Sequence, residues 1–398
     1  MNKTFSSRLS LLVCLSGLLF LLASCQTTQK TLDKLAEKNS DARSQTLHVK
    51  PIWVSDLLSD ANIGYRKINR FSPILYKDML ITANSVDGLK SFDILDQSLK
   101  WSFNVPHGIE SAGAVINSRL FVGGLNGVFY SIDLDTGKII WEFDTKSEIV
   151  AEPLIQDGYV YFVSGGNILY CLDATNGRQI WVYNRQDNSN RMTIRGGAKP
   201  AYYQGLIYQG FSDGSLVSLS AKTGTPQWEV LINRNTKFKD IDASAVVEQD
   251  TIYINSYDDK IYAVSRSSGT ILWSSNFGGY SAPIISGDRL IYTSSKGQLL
   301  AVSKKTGDLI WQKSDLVGLA TEPTLHKGLV VVGESQGSVK FFDLITGELK
   351  GSFDPGRGVL TRPTSDRNKR IYFISGEANI YALQVEMVAD NLNFPYIK

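Results

Sequence analysis

Ser131-Ile132-Asp133-Leu134-Asp135-Thr136-Gly137-Lys138-Ile139-Ile140-Trp141 is the stretch on which the reading of this chain turns. A Thr-Gly pair, with an Asp shortly before it and a Trp four residues after the Gly, joins two apolar runs, and the same unit returns along the chain. Gly–Trp pairs fall at Gly137/Trp141, Gly177/Trp181, Gly224/Trp228, Gly269/Trp273 and Gly307/Trp311. Trp101 holds the equivalent place with Gln97 where Gly is expected, and Gly347 is followed by Gly351 where Trp is expected. Inside the units, runs such as Leu206-Ile207-Tyr208 and Ile252-Tyr253-Ile254 alternate with period two, which reads as strand. The Gly suits a tight hairpin position that needs positive φ.

An eighth unit begins at Thr361-Arg362-Pro363 and runs through Ile371-Tyr372-Phe373 and Ile380-Tyr381-Ala382-Leu383. It stops before any Thr-Gly or Trp. One unpaired Trp strand remains at the front, His48-Val49-Lys50-Pro51-Ile52-Trp53-Val54. Units of about 40 residues, each too small to bury its own faces, predict an all-β propeller of four-stranded blades. If the front strand completes the last blade, exposed edges vanish and the ring closes at eight blades over residues 47–398. The tryptophans would wedge between neighbouring blades.

Charge narrows the function classes. Of 41 Lys and Arg residues, Lys3 and Arg8 lie in a segment expected to be removed, which leaves 39 against 39 Asp and Glu. A neutral surface argues against nucleic acid, which needs a concentrated basic face. Cys14, Cys25 and Cys171 have no neighbours at metal or redox spacing. Cys171 falls at a small-residue position of a repeated strand and is expected to be a buried thiol.

The N-terminus reads as an address. Lys3 and Arg8 precede the apolar run Leu9 to Leu22, and Leu22-Ala23-Ser24-Cys25 follows. A charged start, a short apolar core and small residues at the cut site define a secretory signal, here residues 1–24. The ending resembles the lipobox of bacterial lipoproteins, which implies acylation of Cys25 and retention at a membrane. Gln26 in place of Asp favours, in that family's pattern, passage to the outer membrane. The polar residues 25–46 then form a tether.

The repeats resemble the quinoprotein-type propeller family, whose fold hosts enzymes as well as scaffolds. Quinone-dependent dehydrogenases of that group carry a calcium held by acidic and amide groups, a catalytic Asp and often a vicinal Cys-Cys. This chain has no Cys-Cys. Its recurring Asp93, Asp133, Asp173 and Asp343 recur by repeat position, as turn caps do. His48, His107 and His326 are scattered without ligand spacing and are expected on the surface or in strands. No cofactor or metal is therefore expected, and a quinoprotein enzyme or a ligand-binding envelope propeller is the alternative reading.

The repeat is broken in one region. Trp-to-Trp intervals from Trp101 are 40, 40, 47, 45 and 38, so two long connections are consecutive and should emerge side by side on one rim. Extra length on a rigid frame commonly serves function. Met192 and Ile194 flank a Thr and precede Arg195, and the second connection ends at Asp240-Ile241-Asp242. These are the ingredients either of a docking hot spot or of loops that pack themselves down. The two segments resemble the loop pair of the BamB family, the lipoproteins of the outer-membrane β-barrel assembly machinery, with Leu-Ser-Leu-Arg-Gly and Asp-Val-Asp at corresponding places. The resemblance implies a non-enzymatic scaffold at the periplasmic face of the outer membrane. It would bind the periplasmic POTRA domains of the central barrel-assembly protein and aid insertion of β-barrel clients, whose strands could also meet blade edges. It further implies that Met192 and Ile194 are apolar anchors and Arg195 a charged one, with Asp240 and Asp242 orienting Arg195 or pairing with the partner.

Overall fold

The computed structural model describes residues 45–57, 70–84, 88–185, 197–235 and 239–389. Among them, thirty-two strands form eight antiparallel sheets of four, arranged as an eight-bladed β-propeller. Its compact unit is His48–Glu386. Blades 1 to 7 cover residues 74–103, 114–144, 154–184, 201–231, 246–275, 284–313 and 324–353. Blade 8 takes three strands from residues 364–389 and its fourth from the N-terminal strand Gln45–Asp56.

Blades 1 to 7 follow the pattern of blade 3. A three-residue first strand, Leu154–Gln156, sits towards the hub, followed by Tyr159–Ser164, Ile168–Asp173 and an outer Gln179–Asn184. The middle strands are almost wholly buried because both faces meet neighbouring blades, and they are correspondingly rich in β-branched and aromatic residues. The outer strand alternates between buried and exposed positions.

The third and fourth strands are joined by a wider turn than a two-residue hairpin. In blade 2 the Gly137 N–H donates to the Asp133 carbonyl at 2.8 Å, and a β-bulge follows between Ser131 and Ile132. The Asp133 carboxylate accepts from the Thr136 N–H and hydroxyl, at 2.9 and 2.7 Å. Asp93, Asp173 and Asp343 likewise accept from N–H groups two or three residues on, so these carboxylates cap turns.

The Gly of the motif answers to the preceding blade. Gly224 has φ of +70°, and a Cβ there would lie 2.6 Å from Cδ2 of Trp181, which belongs to blade 3. The same relation links Trp101 to Gly137, Trp141 to Gly177, Trp228 to Gly269, Trp273 to Gly307 and Trp311 to Gly347. The indole N–H of Trp181 reaches the Ala221 carbonyl at 2.9 Å, and that of Trp141 reaches Ala174 at 3.1 Å. Each Trp is thus a latch onto the next blade.

Both exceptions now make sense. The third and fourth strands of blade 8 come from opposite ends of the chain, so no Thr-Gly turn exists there to receive a Trp from blade 7, and Gly351 stands in its place. In blade 1, Gln97 accepts the left-handed conformation, with φ of 62°.

Closure at the eighth blade is a packed joint. Leu57 is 1% exposed in a cluster with Leu80, Tyr372, Ile374, Ile380 and Ala382, and Trp53 packs against it. The Leu57 N–H donates to the Ala378 carbonyl at 3.1 Å, and the Trp53 and Tyr372 rings lie 6.2 Å apart. The Thr364 hydroxyl bridges to the Pro73 carbonyl of the segment entering blade 1, at 2.6 Å.

Candidate docking face

The two long connections run from the outer strand of one blade to the inner strand of the next, between blades 3 and 4 and between blades 4 and 5. Met192, Ile194 and Arg195 lie outside the described residues, as does Cys25. What is described are the roots, and these touch: the Lys199 N–H donates to the Ser244 hydroxyl at 2.9 Å.

The entry root is clamped by Arg185, the residue before the undescribed segment. Its Nε reaches Asp213 at 2.6 Å, its Nη2 reaches Glu229 at 2.6 Å and Ser215 at 2.9 Å, and its Nη1 reaches Glu229 at 2.9 Å. The guanidinium also lies over the Phe211 ring, 5.6 Å from its centroid. A planar fork serving two carboxylates at once is a task for Arg that Lys cannot match. Glu229, in turn, is held below the usual carboxylate range by its hydrogen bond from Arg185.

The second connection returns to the ring as Asp240-Ile241-Asp242. Ile241 is 1% exposed and lies so close to Gly210 that a Cβ there would sit 2.4 Å from it. Asp240 is fully buried. Asp242 is partly buried. Burial, then the charge of Asp240, raise its pKa to about 7, with Arg70 acting the other way. Burial and the same two aspartates push the Tyr257 hydroxyl up to about 12.

The raised pKa has a definite sign for stability. Between the ordinary aspartate value and about 7 the folded chain holds a proton that the unfolded chain has released. The contribution is complete below the unfolded value and is lost as pH rises through about 7. Asp242→Asn should therefore raise the melting temperature at pH 8, by an amount worth at most about 4 kcal/mol and less for the partial solvent exposure of the group, while leaving pH 4 nearly unchanged. Parallel pH profiles for the variant and the wild type would remove this assignment.

Sequence reasoning missed Arg185 and a further set of charged residues at the hub. Glu152, Lys199, Glu322 and Arg362 each precede a proline at the entry to an inner strand. The repeated residue-Pro step was the available signal. Cys171 is fully buried in blade 3, with its thiol pushed up to about 12 by burial. His326 is a strand residue, 2% exposed, hydrogen-bonded to Ser365 at 2.7 Å. Among the described residues, no three His, Cys, Asp or Glu side chains are grouped as a metal would require.

Fold and face together define a class: an eight-bladed propeller of quinoprotein-type repeats, with two adjoining long connections on one rim. The family model described as outer membrane protein assembly factor BamB matches residues 87–313 and 235–389, and the chain belongs to that family. Among curated relatives named outer membrane protein assembly factor BamB, that of Bordetella pertussis is 23% identical over 377 residues, covering 92% of this chain and 95% of its own. That of Shewanella oneidensis is 25% identical over 62% of this chain, and the match spans 64% of the relative's length. The crystal structure of BamB from Moraxella catarrhalis superimposes with a TM-score of 0.73 at 21% identity, over 85% of this chain and all of that one. A quinohemoprotein alcohol dehydrogenase from Comamonas testosteroni shares the fold at a TM-score of 0.67 and 13% identity, covering 87% of this chain and 78% of its own.

Proposed function

We propose that this chain is a non-enzymatic scaffold of outer-membrane β-barrel assembly, held at the periplasmic face of the outer membrane by an acylated Cys25. It binds the periplasmic POTRA domains of the central assembly protein and so aids folding and insertion of β-barrel proteins. The observation that carries this reading is the meeting of the two long connections at Lys199 and Ser244, in a chain of the BamB family. Met192 and Ile194 supply apolar contact and Arg195 a charge. Asp242, partly buried beside Asp240, presents an acidic group at the adjoining root. Desolvated anchors ringed by rigid structure are where binding energy concentrates.

The test is a titration of the mature chain against those POTRA domains. Arg195→Glu should weaken binding about 30-fold, the scale of a hot-spot loss, with an unchanged circular dichroism spectrum. A wild-type chain that does not bind would overturn the partner, and a variant that binds equally would move the site. Asp240 is a poor choice for charge reversal, because a cation at a fully buried position tests folding instead of docking. In cells that express the full chain, Cys25→Ser should shift the protein from the membrane to the soluble fraction, and retention in the membrane would end the lipidation reading.

A further inference from the structure

The connections between blades deliver a residue followed by proline to the hub, as in Glu152-Pro153, Lys199-Pro200, Glu322-Pro323 and Arg362-Pro363. Proline holds the preceding residue extended, so these side chains occupy equivalent places around the axis. Four of them carry charge and form one lattice. Lys199 pairs with Glu152, and the second oxygen of Glu152 lies 3.6 Å from Nη2 of Arg362. Nη1 of Arg362 donates to Glu322 at 3.3 Å, and the other Glu322 oxygen accepts from the Ala282 N–H at 3.3 Å.

One of these contacts is unlike the rest. Glu152 enters blade 3 and Arg362 enters blade 8, and blades 1 and 2 separate them on one side, blades 4 to 7 on the other. A contact between them has to cross the hub. Lys199–Glu152 and Arg362–Glu322, by contrast, join neighbouring blades. Packed faces and Trp–Gly latches join nearest neighbours, as repeat architectures do; besides the lattice, the charge of Arg70, at the entry to blade 1, reaches Asp242, at the entry to blade 5. The lattice is partly buried, which preserves more of its attraction than a surface pair retains.

We propose that Arg362 is a cross-hub strut and a positioning residue for docking. It ties the blade closed by the N-terminal strand to blade 3 and, through Glu152, holds Lys199, the residue whose N–H joins the roots of the two long connections. The docking half of this inference rests on the function proposed above, whereas the strut itself does not.

A double-mutant cycle on the mature chain separates the two. Glu152→Gln and Arg362→Met are each expected to lower the melting temperature by about 2–4 °C, and the double variant by little more than either alone. Additive shifts would overturn the strut. Arg362→Lys, which keeps the charge but loses the fork, serves if Arg362→Met does not fold, and the strut predicts a drop for it too. For docking, Arg362→Met should raise the POTRA Kd about fivefold at a temperature where both proteins are fully folded. Unchanged affinity beside a non-additive cycle would overturn the positioning role. If the wild type binds no POTRA domain, the function proposed above fails, and the thermal cycle still decides the strut.

Discussion

A chain lacking residues 45–57 should lose its cooperative melting transition or show it at least about 10 °C lower. The deletion removes the fourth strand of blade 8 and bares the edge of Asn379–Ala389. It also removes Leu57, which is 1% exposed, and Trp53, which packs on the same cluster. Truncating a buried Leu costs about 2–5 kcal/mol and a Trp about 3–5 kcal/mol. Together these approach the whole stability of a typical domain, about 5–15 kcal/mol. Differential scanning calorimetry checks this directly, with Trp53→Ala as an intermediate case. A transition identical to that of the full chain would mean that the ring does not depend on its N-terminal strand.

Gly224→Ala should be far more damaging than Gly205→Ala, although both glycines sit at positive φ, +70° and +82°. At Gly205 nothing lies within 4 Å of the added Cβ, so the cost is the left-handed backbone alone, about 1–2 kcal/mol. At Gly224 the same methyl meets Trp181 Cδ2 at 2.6 Å. The ring must shift or the blades must part, which adds about 1–3 kcal/mol of overpacking strain. Urea denaturation of the two variants measures the difference. Equal losses would show that the latch between blades tolerates a displaced indole and that the Gly is there for its turn alone.

Much of this architecture could be read from the residues before any coordinates. Six tryptophans at repeat spacing, a seventh unit with Gly351 in the Trp place, and a stray Trp53 strand matched to a last unit without one, together give the number of blades. The reason lies in the physics of repeats: a period survives wherever identical joints need identical side chains. What could not be read was the partner of each motif. Thr-Gly and Trp look local in the sequence, yet Gly224 serves Trp181 of the preceding blade and not Trp228 of its own. The tight hairpin position that positive φ suggested proved to lie in a turn whose Gly137 N–H reaches back four residues to Asp133.

The docking face was legible only in part. Uneven Trp spacing located the two connections, since an insertion shows as a broken period. Burial has no such signature, and Asp240 and Asp242 looked alike in sequence although one is fully buried and the other only partly so. The hub lattice was hidden for another reason. Glu152 and Arg362 are 210 residues apart in the chain and become neighbours only when the ring closes, a separation no local pattern encodes.

The missing Trp at Gly351 gives the ring a seam. Six joints carry an indole seated on a glycine, whereas between blades 7 and 8 a glycine takes the place of the indole. Blade 8 is also the blade assembled from both chain ends. During synthesis, the first strand to leave the ribosome must wait, unpaired, until nearly the entire protein has been made. The other seven blades can zip up in order, the first six each seating a Trp on its successor, while the final annealing step is set by the encounter of the two ends. A chaperone that shields an unpaired edge would have its longest opportunity here.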